Sequence, residues 1–278
     1  MRFKIFTLIL LMLSLSSCTQ SFFYNRLDTL FNWYIDDYIE LDQTQQQSFD
    51  VQLNKVLQWH RSEELNRYIQ FLKQLKVDIK TPINRNMIDD WSDQVLVAYE
   101  RVEEKMFNLF TTTIGNLSQQ QVDNLMKKLR LKHNENKEKY LNRNDKVYTK
   151  ESAERITDNL ERFLGPLSKK QIKIIETKTT LFKRFDEAWL EERELWYVSL
   201  ENLLKREAGW QLRLKEAYYQ RNIVRTKKYL AYRDHNIELI KDMIIEVFLL
   251  RDEKQNRYIE REIDQYVSEF EKIIAETN

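Results

Sequence analysis

Two histidines in this chain stand close to carboxylates at helical spacing. Glu63 and Glu64 follow His60 by three and four residues, and Glu238 follows His235 by three. Residues three or four apart lie on one face of an α-helix, so each group could bind a metal ion or move a proton. A metal site needs further ligands, and the sequence supplies none beside either group. We therefore expect capped or solvated groups on helix surfaces, and no metal site.

Other patterns with catalytic meaning also lack partners. Asp36 and Asp37 are adjacent, so on a helix they point about 100° apart and cannot easily share one site; surface acids flanked by core aromatic residues are expected instead. Three glycines in 278 residues exclude a P-loop, a dinucleotide-binding fold and a nucleophile elbow, which need several glycines at fixed offsets. The sequence predicts no catalytic residue, no cofactor and no enzymatic activity.

The single cysteine, Cys18, ends the stretch Leu15-Ser16-Ser17-Cys18. A basic start and an apolar run over residues 5–13 precede it, and this run is too short for the ~20 residues of a membrane-spanning helix. That order is typical of a secretory signal peptide. The four residues resemble the lipobox of bacterial lipoprotein precursors, which implies cleavage between Ser17 and Cys18 and acylation of Cys18. The alternative is an ordinary thiol after an uncleaved apolar end.

The lipobox interpretation divides the chain in two. Residues 1–17 form the signal peptide, and residues 18–278 form a single helical periplasmic domain anchored to a membrane through Cys18. Thr19, in a position where aspartate favours retention in the inner membrane, indicates the periplasmic face of the outer membrane. With no second cysteine the domain forms no internal disulfide.

Three aromatic residues, Phe22, Phe23 and Tyr24, follow the cysteine closely. The three residues between reach at most ~11 Å, so the domain stays near the bilayer. Either at least one of these rings enters the headgroup layer, or all three pack into the protein.

The apolar residues recur every three or four positions, as in Val122, Leu125 and Leu129, rather than alternating. The sequence therefore predicts an all-α fold, an elongated antiparallel helical bundle of about six to eight helices after the cleaved signal peptide. The predicted helices cover residues 22–39, 42–78 with a bend near His60, 84–114, 118–142, 149–164, 168–220 and 234–276.

Several predicted helices begin with the same signal. Ser118 with Gln121, and Ser168 with Gln171, are capping boxes that each follow a leucine. Asp42 with Gln45, and Asp252 with Gln255, repeat the pattern, with irregular spacing along the chain. The repetition indicates a recurring helix start, with a weak hint of an ancient duplication.

The predicted helix over residues 168–220 carries an apolar residue every seven positions. This period predicts a continuous packing seam, with a kink or stop at Gly209. No linker rich in Pro, Gly or Ser divides the chain, so one domain is expected. The seam residues are Phe182, Trp189, Trp196, Leu203, Trp210 and Ala217.

Charge is uneven along the chain. Residues 117–184 carry 17 basic and 9 acidic residues, whereas the segments on either side are net acidic. Two interpretations remain open: the oppositely charged helices lie against each other or are simply solvated, or the basic segment binds an anionic partner.

Motifs spread over the chain carry a wider resemblance. Together with the lipobox, they resemble a family of uncharacterised helical lipoproteins of Gram-negative bacteria. The resemblance implies localisation and fold but no site residues. One departure is Asn66, where that family would have a proline. The motifs are Trp33-Tyr34-Ile35-Asp36-Asp37-Tyr38, Leu41-Asp42, Trp59-His60-Arg61 with Glu64-Leu65, and Leu167-Ser168 with Gln171.

A second resemblance is local. The two Leu-Ser-x-x-Gln segments look like the Leu-Thr-x-x-Gln motif of the Spy-type periplasmic chaperones. The favoured hypothesis is a non-enzymatic outer-membrane lipoprotein that binds or scaffolds an envelope component, either a protein or an anionic molecule. The alternative is a membrane-tethered, Spy-like holdase. The membrane is itself a partner through the lipid anchor, and no nucleic acid partner is expected.

Overall fold

The computed structural model describes residues 17–220 and 225–276, and every regular element within them is helical. The predicted signal peptide lies outside these residues except for Ser17. The all-α fold class is confirmed, whereas the elongated antiparallel bundle stays a prediction. The helices are α1 (Ser17–Tyr24), α2 (Leu27–Asp36), α3 (Gln43–Trp59), a π-helical turn (His60–Glu64), α4 (Leu65–Asp78), α5 (Arg85–Gly115), α6 (Gln119–Leu141), α7 (Asp145–Leu164), α8 (Lys169–Thr179), α9 (Asp186–Leu203), α10 (Trp210–Gln220), α11 (Lys227–Leu249) and α12 (Glu253–Ala275).

A π-helical turn lies where the sequence predicts a bend, at His60. Helices α3, the turn and α4 follow one another without a gap over residues 43–78. A π-helical turn inserts an extra residue into the helix, and such turns are frequent at functional sites. Asn66, where a proline was expected, is the second residue of α4.

The single helix predicted over residues 168–220 is wrong. The chain leaves the helix after Thr179 and resumes at Asp186, a break that the sequence did not predict. It breaks again before Trp210, where Gly209 has a φ of +78°, so the kink or stop predicted at Gly209 is confirmed. The seam does not run continuously because its members serve different cores. Phe182 packs against one buried cluster, whereas Trp196 and Leu203 pack against another.

Two more predicted helices are interrupted, so the predicted total of six to eight is not confirmed. The first separates between Tyr24 and Leu27, and the last breaks between Leu249 and Glu253. Asp252 caps the helix after the second break by accepting a hydrogen bond from the backbone N–H of Gln255. The cap was visible in the sequence, and the prediction wrongly ran a helix through it.

The buried apolar residues form two large clusters. The first joins α3, α5, α6, α9 and α10 around residues such as Phe49, Leu109 and Trp210. The second joins α4, α7, α8, α11 and α12 around Leu164, Ile175 and Met243. The continuous segment of α3, the π-helical turn and α4 runs from the first cluster to the second.

The capping glutamines pair across helix starts. The Gln45 and Gln121 side chains hydrogen-bond each other, as do those of Gln171 and Gln255. Each also donates to a backbone carbonyl near the other helix start, at Asn116, Glu40, Val247 and Pro166 respectively. The recurring helix start is therefore a device that joins helices in pairs, once in each large cluster.

Removing the capping hydroxyls should destabilise the protein measurably. Ser118 and Ser168 each accept a hydrogen bond from a backbone N–H three residues ahead. We expect Ser118→Ala and Ser168→Ala each to lower the free energy of unfolding by about 0.5–2 kcal/mol in urea denaturation. The exposed Ser268, inside α12, is the control, because Ser268→Ala should change little. If Ser118→Ala and Ser168→Ala lower the free energy of unfolding no more than Ser268→Ala does, the assignment of the two serines as caps is contradicted.

Candidate functional site

A cavity of about 1880 Å³ lies among the helices and opens to the surface. Pockets that hold drug-sized ligands occupy about 300–1,000 Å³, so this one could hold a long chain. Most of its wall is apolar, and aromatic rings are prominent in it. They include Phe31, Tyr34, Phe107, Phe110, Trp189 and Trp196, from α2, α5 and α9.

The cavity reaches the surface beside exposed apolar residues. Val95 and Val97 of α5 and Leu195 of α9 line it and are each about half exposed. Solvent-exposed apolar side chains at an opening of this kind provide a path for an apolar ligand.

The π-helical turn places a buried carboxylate behind two arginines, Arg67 and Arg101, that line the cavity. Glu64 is 0% exposed, and it accepts hydrogen bonds from Arg101 Nε at 2.6 Å and Arg101 Nη2 at 2.8 Å. Arg67, one turn further along, pairs with the same carboxylate. Burial acts to raise the pKa of Glu64, but the hydrogen bonds and charges of Arg101 and Arg67 outweigh it and lower the pKa. The two arginines therefore favour the ionised form of Glu64.

His60 is enclosed by tyrosines rather than by ligands for a metal. The Tyr24 hydroxyl hydrogen-bonds to Nδ1 at 2.9 Å, and the Tyr68 hydroxyl lies 3.5 Å from Nε2. Burial lowers the pKa of His60 to about 4, although the Glu64 charge opposes the shift. The expectation of a solvated or capping pair is thus wrong for His60 and Glu64, while Glu63 is exposed as expected.

Because the pKa of His60 is lowered, the folded protein should become less stable in acid. The unfolded chain protonates His60 near 6.5 and the folded protein only near 4, so the unfolded state binds the extra proton between these values. The free energy of unfolding should fall by up to about 1.4 kcal/mol per pH unit from pH 6.5 towards 4.

Urea denaturation at pH 7, 6 and 5 measures this slope. His60→Gln should lose the part of the slope that His60 contributes. His235→Gln, at an exposed position, should keep the full slope. His133, whose pKa burial also lowers, contributes equally to both variants. Equal slopes in the unsubstituted protein and His60→Gln would contradict the assignment.

The other candidates from the sequence do not converge on a site. His235 hydrogen-bonds to the Leu181 carbonyl at 3.0 Å, while Glu238 pairs with Arg85 and Lys241. Asp36 and Asp37 are exposed at the end of α2, as expected. Over residues 17–220 and 225–276, no group of three or more His, Cys, Asp or Glu side chains is placed to hold a metal ion.

The aromatic residues beside Asp36 and Asp37 behave differently from one another. Tyr34 and Tyr38 line the cavity, as part of the wall that the sequence interpretation treated as core. Trp33 is 66% exposed, so its expected place in the core is wrong.

Ion pairs between segments balance much of the basic segment. Arg130 binds Glu194 at 2.6 Å and Glu201 at 2.8 Å, and Lys178 binds Glu246 at 2.7 Å. Arg143 and Asp186 form a further, largely buried pair. These contacts support the interpretation in which basic and acidic helices lie against each other.

Helix α1 is attached firmly to the rest of the protein. Ser21 and Asn25 donate to the Glu276 carboxylate at 2.5 and 2.8 Å, beyond the end of α12. Tyr24 is buried, Phe23 is half-buried and Phe22 is 50% exposed. Of the three aromatic residues considered for membrane contact, Tyr24 belongs to the core and Phe22 remains accessible.

A helix that crosses a bilayer needs about 20 predominantly apolar residues. Within the described part of the chain, none of the helices has the length and apolar character needed to cross a membrane.

Comparisons with known proteins place the chain in a family without a known activity. No curated protein and no solved structure matches it. The resemblance to Spy-type chaperones is accordingly not shown, and Gln121 and Gln171 of its motif serve the helix caps and glutamine pairs. The model of a family of unknown function, DUF6279, matches residues 37–230, which is more than half of the chain. The chain therefore belongs to the family of unknown function DUF6279.

Proposed function

We propose that this protein is a non-enzymatic lipoprotein of the outer membrane whose periplasmic domain binds an amphipathic envelope component in its cavity. The observation that carries the proposal is the cavity of about 1880 Å³ with its aromatic wall. Apolar surface exposed in so large a space is costly in water, and a hydrocarbon chain would remove it from solvent.

The lipobox supports the membrane location. Cys18 is in α1, and α1 is tied to the domain through Ser21, Tyr24 and Asn25. Acylation of Cys18 would therefore fix the domain at the bilayer without a flexible linker, with Phe22 in reach of the headgroups. A lipid could then pass between membrane and cavity over a short distance.

Binding of a neutral long-chain probe tests the cavity. The probe is trans-parinarol, a fluorescent polyene alcohol, titrated into the chain from Cys18 onward without its acyl groups. We expect saturable binding, weakened at least tenfold by Ala98→Trp or Ala217→Trp, because both residues line the cavity and an indole would fill part of it.

Ala231→Trp is the matched control, because this exposed alanine is not in the cavity wall. Circular dichroism and thermal melting show whether each variant keeps its fold. The proposal fails if the unsubstituted chain shows no saturable binding, or if folded Ala98→Trp and Ala217→Trp bind as well as Ala231→Trp does.

A membrane-tethered holdase is the second candidate. It is favoured by exposed Val95, Val97 and Leu195 at the cavity opening, since apolar surface of this kind can hold an unfolded segment. Suppression of aggregation of a reduced, unfolded protein, lost when these three residues become asparagine, would support it. Suppression that is equal in the triple variant would refute it.

A further inference from the structure

Several of the cations that line the cavity are neutralised by the protein's own carboxylates. Arg67 and Arg101 share Glu64, and Arg143 pairs with Asp186. Each of these guanidinium groups has a carboxylate of the protein as its counter-charge.

Arg193 of α9 differs from these residues. It lines the cavity, and among the described residues no carboxylate lies within ion-pair distance of it. Its Nε is buried and has no hydrogen-bond partner, while its Nη2 donates to the Tyr197 hydroxyl at 3.3 Å. The guanidinium of Arg193 has five N–H donors, and the described residues supply one hydrogen-bond acceptor for them, the Tyr197 hydroxyl.

The neighbouring acids are engaged elsewhere. Glu192 accepts a hydrogen bond from the Thr226 backbone N–H at 2.6 Å. Glu194 faces Arg130 and His133. The acidic residues on either side of Arg193 in sequence thus do not supply its counter-charge.

Aromatic rings hold the guanidinium in place. Its central carbon lies 5.3 Å from the centre of the Trp189 ring and 5.5 Å from that of Tyr197. Cation–π contacts at such distances orient an arginine without neutralising it. The result is a pre-positioned cation, partly buried, at the edge of an apolar space.

We infer that Arg193 binds the anionic head group of the cavity's ligand, so that the ligand is an anionic amphiphile with a long hydrocarbon chain. A carboxylate or a phosphate could accept from the planar guanidinium, and either would satisfy donors that the protein leaves open. The chain of the ligand would lie along the aromatic wall, beside Trp189 and Trp196. This inference rests on the proposed function, because it assigns the head group to a ligand whose chain fills the cavity.

A pair of probes with one chain and different head groups tests the inference. At pH 8 trans-parinaric acid carries a carboxylate, whereas trans-parinarol is neutral. The unsubstituted protein should bind the acid about ten- to hundredfold more tightly than the alcohol, the range expected of a charge-assisted hydrogen bond. Arg193→Gln should bind both probes equally and keep the affinity for the alcohol, and Arg193→Lys should retain part of the preference.

Arg257→Gln is the matched control, because Arg257 is exposed and outside the cavity wall. It should keep the full preference for the acid. Equal binding of acid and alcohol by the unsubstituted protein, or an unchanged preference in folded Arg193→Gln, would overturn the inference while leaving the proposed function standing. Failure of both probes to bind would overturn the two together, and preference for a phosphate-bearing chain over the carboxylate would identify the head group within the same class.

Discussion

Replacing Cys18 by serine is expected to abolish acylation of the chain. The lipobox interpretation makes the cysteine sulfur the site of acylation, and serine offers no thiol for the thioether. More than one acyl chain gives stable anchoring where one gives only marginal binding. The described part of the chain contains no helix able to span a bilayer in their place. Palmitate labelling should disappear in Cys18→Ser, and the precursor should stay uncleaved after Ser17.

Ser17→Ala is the matched control for this experiment. It changes the neighbouring residue to another small one, so cleavage and labelling should persist. Fractionation of envelopes should then place Ser17→Ala with the outer membrane and leave Cys18→Ser as a precursor without acyl groups. Undiminished palmitate labelling of Cys18→Ser would refute the lipoprotein assignment.

Arg101→Met is expected to lower the free energy of unfolding by about 3 kcal/mol. Glu64 is wholly buried and receives two hydrogen bonds from Arg101, so the substitution leaves a buried carboxylate with Arg67 alone. Methionine keeps the length and apolar stem of the arginine, which limits the loss of packing. The loss in free energy of unfolding therefore measures the removal of the Arg101 charge and not a loss of packing.

Arg130→Met is the control for burial. Arg130 also makes close contacts with carboxylates, those of Glu194 and Glu201, but these acids are 50% and 41% exposed. Solvent screens such pairs, so the cost should stay below about 1 kcal/mol. In Arg101→Met the pKa of Glu64 should rise because its main hydrogen-bond donor is gone, and the stability deficit should shrink as pH falls. Equal costs for the two variants in urea denaturation would contradict the special role of Glu64.

Residues near each other in sequence made the helix starts predictable. Ser118, Ser168, Asp42 and Asp252 all cap helices where the capping pattern placed them. An irregularity near His60 was also predicted, as a bend, and the structure has a π-helical turn at this place. These features depend on hydrogen bonds within a few residues, and side-chain type determines them directly.

The breaks and the cavity depend on distant contacts. The heptad from Phe182 to Ala217 looks like one seam, but its residues pack against different clusters, which no local pattern reveals. Cavity-lining Tyr34 and Trp196 follow the same helical period as core residues. An aromatic residue facing empty space and one facing a neighbour are therefore indistinguishable by spacing. Glu64 was similarly hidden, because its partner Arg101 is 37 residues away.

Photo-crosslinking in intact membranes tests ligand binding in the cavity most directly. A long-chain fatty acid carrying a diazirine on its chain would be supplied to cells that make the full chain, activated by light, and its adducts mapped by mass spectrometry. The account predicts adducts on cavity residues such as Phe107, Phe110 and Trp196, reduced in Ala217→Trp and unchanged in Ala231→Trp. Adducts confined to exposed positions such as Phe22 and Trp33, with none in the cavity, would contradict it.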